Sequence, residues 1–240
     1  MLTAYVFGPQ WNLIDPSPFC MKLLTALQLA GLEHDVKTGM QHIRGAPKGK
    51  MPYIRDGETV LGDSNLIMEY LGQKYDVDLD RHLSPAQRTV AHAFGRMLDE
   101  HTYWTLLYYR WIDEANWEQH TRPAFFGALP FLQRTILPGV LRKGLIKASR
   151  GHGIGRHSPE EIARIGISDY QSLVDLLGDQ SFMFGDTPSA LDATAYAFCA
   201  GMIKVPHQSP VRAFVESTPL VAYVERMAAH LSTNQTASAT

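Results

Sequence analysis

Strand-forming signals in this chain stop near residue 62, and beyond Ser84 the sequence is written almost entirely in helix starts. Before that switch, residues 2–7 form a short apolar run broken by Gly8-Pro9. Ser17-Pro18 then offers an N-cap hydroxyl followed by a proline at the first helical position, and Cys20, Leu23, Leu24, Leu27 and Ala30 recur at helical spacing until Gly31. Residues 34–37 are short enough for a second strand, and residues 44–50 read as loop. Residues 51–54 and 59–61 flank Asp56-Gly57, a hairpin turn signal, and Asp63-Ser64 opens another helix. The order β-α-β, loop, β-β-α predicts a small α/β domain with a mixed four-stranded sheet over residues 1–78. Past a linker at 76–82, Ser84-Pro85, Ser158-Pro159, Ser209-Pro210 and Thr218-Pro219 each mark a helix start, and Ser158 with Glu161 completes a capping box. An all-α bundle over residues 84–231 and a flexible polar tail at 232–240 follow from this pattern.

Composition excludes several classes. The 22 basic residues nearly balance the 24 acidic ones, which argues against a protein that blankets nucleic acid. Cys20 and Cys199 are too few for a disulfide framework or a thiolate zinc site. His152 and His157 lack a nearby cluster of metal ligands, so no metal is expected. The start carries no secretory pattern, and no run approaches the roughly 20 apolar residues of a membrane span, so a cytoplasmic protein is expected.

Four motifs stand in a telling order. They are Ser17-Pro18-Phe19-Cys20, Gly49-Lys50-Met51-Pro52, Asp63-Ser64-Asn65-Leu66-Ile67 and the capping box Ser189-Ala190-Leu191-Asp192. Together they resemble the glutathione transferase superfamily, a thioredoxin-like domain followed by a helical domain. Residues 16–23 look most like the branch of metaxins, failed-axon-connections proteins and their bacterial relatives, with Leu24 where those relatives carry glutamate.

The resemblance implies a glutathione-dependent enzyme that activates the thiol and conjugates it to an electrophile or exchanges it with a disulfide, and a homodimer with its sites beside the interface. It implies a cis Pro52 that turns the Met51 main chain toward the cysteinyl unit of glutathione. Ser64, at a helix N-terminus, would hold the γ-glutamyl carboxylate, with Asp63 near the ligand's amine. The plain alternative is that Ser64 only caps its helix. Lys50 is either the partner of the glycyl carboxylate or an exposed loop lysine. Ser17 is the leading candidate to donate a hydrogen bond to the sulfur; otherwise it is merely the helix cap. Tyr5, in the first strand, is the second candidate. Cys20 falls on the apolar face of its helix, which favours a buried spectator over a redox partner.

The second half should supply the electrophile pocket. Trp104, Tyr108 and Trp111 follow i, i+4, i+7 spacing, so one helix face carries three large rings, either as cleft wall or as core. The glycines at 151, 153 and 155 lack the preceding strand and the Gly-Lys-Ser/Thr ending of a phosphate loop. Arg142, Lys143, Lys147, Arg150 and Arg156 form a basic run, read as a solvated helix face or as a dock for an acidic partner. The competing functional classes are a glutathione-binding or scaffold module without turnover and a metaxin-like import component. The polar ending, with no anchor, disfavours the last.

Overall fold

The computed structural model describes residues 1–237. Strand β1 (Leu2–Val6), helix α1 (Pro18–Leu29) and strand β2 (Asp35–Thr38) form a crossover unit, followed by β3 (Tyr53–Asp56), β4 (Thr59–Gly62) and α2 (Ser64–Tyr75). A helical crossover permits parallel pairing, and β1 pairs parallel with β2; the tight turn at Gly57 demands antiparallel pairing of β3 with β4. With β1 antiparallel to β3, the sheet order is β2-β1-β3-β4. The strand pleat sorts the side chains. Leu2, Ala4, Val6 and Ile54 pack with Leu23, Leu27, Ile67 and Leu71 of the two helices. Tyr5 and its register partner Tyr53 take the opposite face, where their rings stack at 4.3 Å. A 3-10 turn, Met40–Gly45, covers that face, with His42 edge-on to Tyr5 at 5.2 Å.

The remaining helices are α3 (Pro85–Met97), α4 (Tyr103–Leu107), α5 (Glu114–Asn116), α6 (Arg122–Phe126), α7 (Phe131–His152), α8 (Pro159–Leu177), α9 (Ala190–Ile203), α10 (Pro210–Glu216) and α11 (Leu220–Ala237). Helix accounts for 64% of the fold, and no further sheet follows β4 among the described residues. The hydroxyl-proline pairs behave as caps: Ser84, Ser158 and Ser209 accept the backbone N–H groups of Gln87, Glu161 and Arg212. Three π-helical turns, Leu98–Thr102, Tyr108–Ile112 and Trp117–Thr121, interrupt the α-helical hydrogen bonding, and the first two join α3 and α4 into one rod over 85–112. Helix α9 is apolar on every side and buried along nearly its whole length, as the centre of a bundle must be.

Helix α1 serves two cores. Cys20 and Leu23 belong to the sheet core, whereas Met21 belongs to the helical core. The expected tail begins differently: residues 232–237 continue α11. Ser232 and Thr233 donate their hydroxyls to the carbonyls of Ala228 and Ala229 at 3.0 Å, satisfying these polar side chains within the helix. The rest of that expected tail, residues 238–240, lies outside the described residues.

Candidate active site

A cleft of about 450 Å³ lies between the sheet domain and the rod 85–112. Ser17 lines it as the N-cap of α1, its Oγ accepting the Cys20 N–H at 3.4 Å. Two buried charges, neither singled out by sequence reasoning, hold the loop before it. Asp15 accepts the N–H groups of Gly8 and Ser17, each at 2.8 Å, and so ties the two ends of the loop together. Burial pushes its carboxyl up to about 6 against the pull of those backbone bonds. Arg110, in the second π turn, donates to the carbonyls of Pro16 and Gly201 and stacks over Trp11 at 5.4 Å. An aspartate two residues before the capping serine is an Asx-type signal that could have exposed Asp15. Nothing local to Arg110 announces its role.

The opposite wall comes from the sheet domain. The Met51–Pro52 peptide is cis, and Lys50, Met51 and Pro52 all line the cleft. Asp63 has φ +91°, a conformation rarely adopted outside glycine, which marks a position constrained by its surroundings. Its carboxylate, not the Ser64 hydroxyl, caps α2, accepting from Asn65 N at 3.0 Å and Leu66 N at 3.2 Å. The plain-cap reading of Ser64 is therefore corrected. Ser64 is buried at the first helical position on the cleft, and its hydroxyl has no hydrogen-bond partner among the described residues.

The helical domain contributes Arg96, Asp99, Glu100, Tyr103 and Trp104. Asp99 sits in the first π turn and binds Lys22 Nζ of α1 at 2.8 Å and Asn65 Nδ2 of α2 at 2.9 Å. Lys22 Nζ also donates to Asn65 Oδ1 at 2.8 Å, which closes a largely buried triad joining both domains at the cleft wall. The second carboxylate oxygen of Asp99 has no partner among the described residues. Tyr103 packs against Phe19 at 4.9 Å, and burial pushes its phenol up, so it stays protonated at neutral pH. Trp104 stacks on His152 at 4.4 Å.

Ser17, Lys50, Met51, Pro52, Asp63, Ser64 and Trp104 thus face one cleft, and four other candidates do not line it. Tyr5 is occupied between Tyr53 and His42 on the outer sheet face. Cys20 is fully buried, and burial together with Asp15 raises its thiol well above the usual range, which leaves it inert. Tyr108 packs edge-on to Tyr109, and Trp111 stacks on Phe125 at 5.2 Å. For Trp111 the physical reason is the π geometry at 108–112, whose wider turn rotates it off the i, i+4, i+7 row that an α-helix would have kept on one face.

Residues 18–116 match the glutathione S-transferase N-terminal domain, and residues 166–227 match the C-terminal domain. The isoprene-epoxide–glutathione S-transferase of Rhodococcus sp. (strain AD45) is 35% identical over 234 residues, 95% of this chain and 98% of that protein. The chain belongs to the glutathione S-transferase family. Two further relatives of this family member have names that state no reaction. Failed axon connections of Drosophila melanogaster is 30% identical, covering 95% of this chain and 57% of that one. Human metaxin-1 is 29% identical, covering 85% and 45%. Among solved structures, glutathione S-transferase III in apo form aligns with a TM-score of 0.60 at 18% identity, covering 98% of this chain and 96% of that one. A β-etherase from Sphingobium sp. aligns at 0.61 and 19%, covering 94% of each chain; these two likenesses concern the fold alone. The family takes glutathione as cosubstrate and binds electrophiles.

Proposed function

We propose that this protein binds glutathione in the cleft, activates its thiol at Ser17 and transfers the sulfur to a small apolar electrophile. The observation that carries the reading is convergence. The N-termini of α1 and α2, the cis Met51–Pro52 segment and the unpartnered Ser64 hydroxyl all open onto one cavity. Two helix N-termini suit anions. The lining carries both signs, with Lys48, Lys50 and Arg96 for carboxylates and Asp63 and Glu100 for an ammonium, which suits the charges of glutathione.

A free thiol titrates near 8.5, so lowering it by two units needs about 2.7 kcal/mol. A hydroxyl donated by Ser17 and the end of α1 are of that order together. The thiolate then forms the C–S bond, and the displaced group leaves with its electron pair. With an epoxide, the ring oxygen keeps that pair and takes a proton, and the protonated Tyr103 on the same cleft can donate to it. An epoxide is the electrophile class assigned first, supported by the name of the Rhodococcus relative. The reading includes a homodimer. Leu66 on α2 and Val90 on α3, both exposed, lie on helices that pairing of the sheet domain with the partner's helical domain would cover.

The test is calorimetric titration with glutathione followed by turnover of a small epoxide. Ser64→Ala should weaken glutathione binding by about 1.5–3 kcal/mol. Ser17→Ala should slow conjugation about 10²-fold with little change in affinity. An unchanged rate would remove Ser17 from the chemistry. The second reading, binding without turnover, is favoured by the likeness to failed axon connections and metaxin-1, whose names state no reaction. Saturable binding with no reaction toward epoxides, aryl halides or mixed disulfides would establish it over the first. Light scattering that gives a monomer mass at micromolar concentration would refute the dimer.

A further inference from the structure

The basic run between Arg142 and Arg156 takes no part in the cleft chemistry, and it belongs to a larger feature. Residues 119–159 contain seven Lys and Arg and no Asp or Glu, whereas the rest of the chain carries fifteen basic residues against all 24 acids. Helix α7 runs through the middle of this acid-free stretch. Its first seven residues are all exposed. Of the thirteen large apolar side chains exposed among the described residues, six lie on α7. Leu132, Ile136 and Val140 stand 67%, 52% and 65% exposed.

Helical geometry puts these three on one outward ridge, four residues apart. Lys143, Lys147 and Arg150 continue along the same side toward the C-terminal end, all exposed. The inward side is held firmly. Pro138 and Ser149 are buried, and Arg142 donates to the carbonyls of Trp111 and Ile112 at 3.1 and 2.8 Å and to the Glu114 carboxylate at 2.7 Å. The exposed ridge is therefore displayed by an anchored helix rather than by a frayed one.

We propose that this face of α7 docks on a membrane surface rich in anionic lipid. The Leu132–Ile136–Val140 ridge enters the acyl boundary, and Lys143, Lys147 and Arg150 meet the headgroup phosphates. Charge complementarity selects this occupant. A bilayer presents an unbroken anionic layer over an apolar interior, and the surface that fits it is apolar and cationic, as the outward ridge of α7 is, within a stretch, 119–159, that contains no acid. No helix among the described residues is long and apolar enough to cross a membrane, so α7 would lie on the bilayer. Its last residue, His152, stacks on Trp104 of the cleft. Docking would then fix how the cleft mouth faces the lipid.

The experiment is flotation of the full chain with vesicles of equal parts phosphatidylglycerol and phosphatidylcholine, with pure phosphatidylcholine as the comparison. The chain should float with the anionic vesicles and far less with the neutral ones. Lys143→Ala and Lys147→Ala should each weaken binding about fivefold. Ile136→Glu combined with Val140→Glu should abolish it with an unchanged circular-dichroism melt, because both side chains are exposed. A tryptophan introduced by Val140→Trp should be quenched by brominated acyl chains. Absence of flotation, or equal flotation of all variants, would overturn the proposal. Loss on lysine removal without any quenching would overturn it too, because the face would then be a general polyanion surface. A wild type that ignores vesicles while Ile136→Glu/Val140→Glu lowers its mass in light scattering would assign the ridge to contact between copies instead.

Discussion

Lys22 and Asp99 share a charge across the domain boundary with almost no water: their side chains are 7% and 3% exposed. Burial lowers the Lys22 ammonium, and the attraction of Asp99 only partly restores it, so desolvation is the larger effect at this pair. That ordering sets the outcome of substitution. Lys22→Met leaves the Asp99 carboxylate buried with only Asn65 as donor, and should cost about 3–5 kcal/mol. At about 2–4 °C per kcal/mol for a chain of this size, Tm falls by roughly 10 °C. Adding Asp99→Leu removes the stranded charge. The double variant should regain most of the loss and stop about 1–2 kcal/mol short, because Asn65 then loses both partners. Urea titrations of the four proteins at neutral pH give the coupling energy directly. A Lys22→Met penalty below about 1 kcal/mol would show that the pair behaves as a hydrated surface bridge. A double variant no better than the single one would refute the desolvation argument.

Asp192 accepts from Met183 N, Ser189 N, Ser189 Oγ and Tyr223 Oη, so Asp192→Ala should destabilise by about 4 kcal/mol in urea unfolding, a loss of this size following from several stranded donors. Arg110→Met strips the donor from the Pro16 and Gly201 carbonyls. It should cost about 2–3 kcal/mol and slow single-turnover conjugation at temperatures where the variant is fully folded. For His207, burial pushes the imidazole from 6.5 down to about 3, so its stabilisation is complete above pH 6.5 and lost as pH falls toward 3, about 2 kcal/mol by pH 5. Asp15 has the opposite sign: raised from 3.8 to about 6, it adds stability below 3.8 that is lost as pH rises through 6. His207→Gln should therefore retain about 2 kcal/mol more of its neutral-pH stability at pH 5 than wild type, measured by urea unfolding at both pH values.

What could be read from the chain was local. The serine-proline caps of α1, α3, α8 and α10, the Asp56-Gly57 hairpin and the Ser189–Asp192 box need only neighbours in sequence, and each lies where its residues put it. The cis peptide at Pro52 came with the motif around it. The cleft's helical wall was harder. A periodicity argument assumes one residue spacing per turn, and two π turns within the rod 85–112 change that spacing. Trp104 reaches the cleft, while Trp111 rotates away to Phe125. Asp15 and Arg110 were invisible for another reason: each is defined by a backbone group it satisfies, and for Arg110 that group is 94 residues away.

The position of Cys20 shows how a shared helix decides chemistry. A thiol three residues after a capping serine, at a helix N-terminus, has the address of a redox-active group. Helix α1, however, is clamped between the sheet and the helical bundle, and successive residues go to different cores. Met21 goes to the bundle and Cys20 to the sheet, whereas Ser17 remains on the cleft. The sheet-facing direction removes the thiol from solvent and sets it near the Asp15 carboxyl, and both effects oppose the thiolate. Only the hydroxyl stays where a substrate sulfur could meet it. For Cys20 to act as a resolving thiol, α1 would have to turn about its axis, which would empty both cores at once. The burial of Cys20 therefore keeps its thiol out of the cleft, and under the proposed function the sulfur is supplied by the ligand.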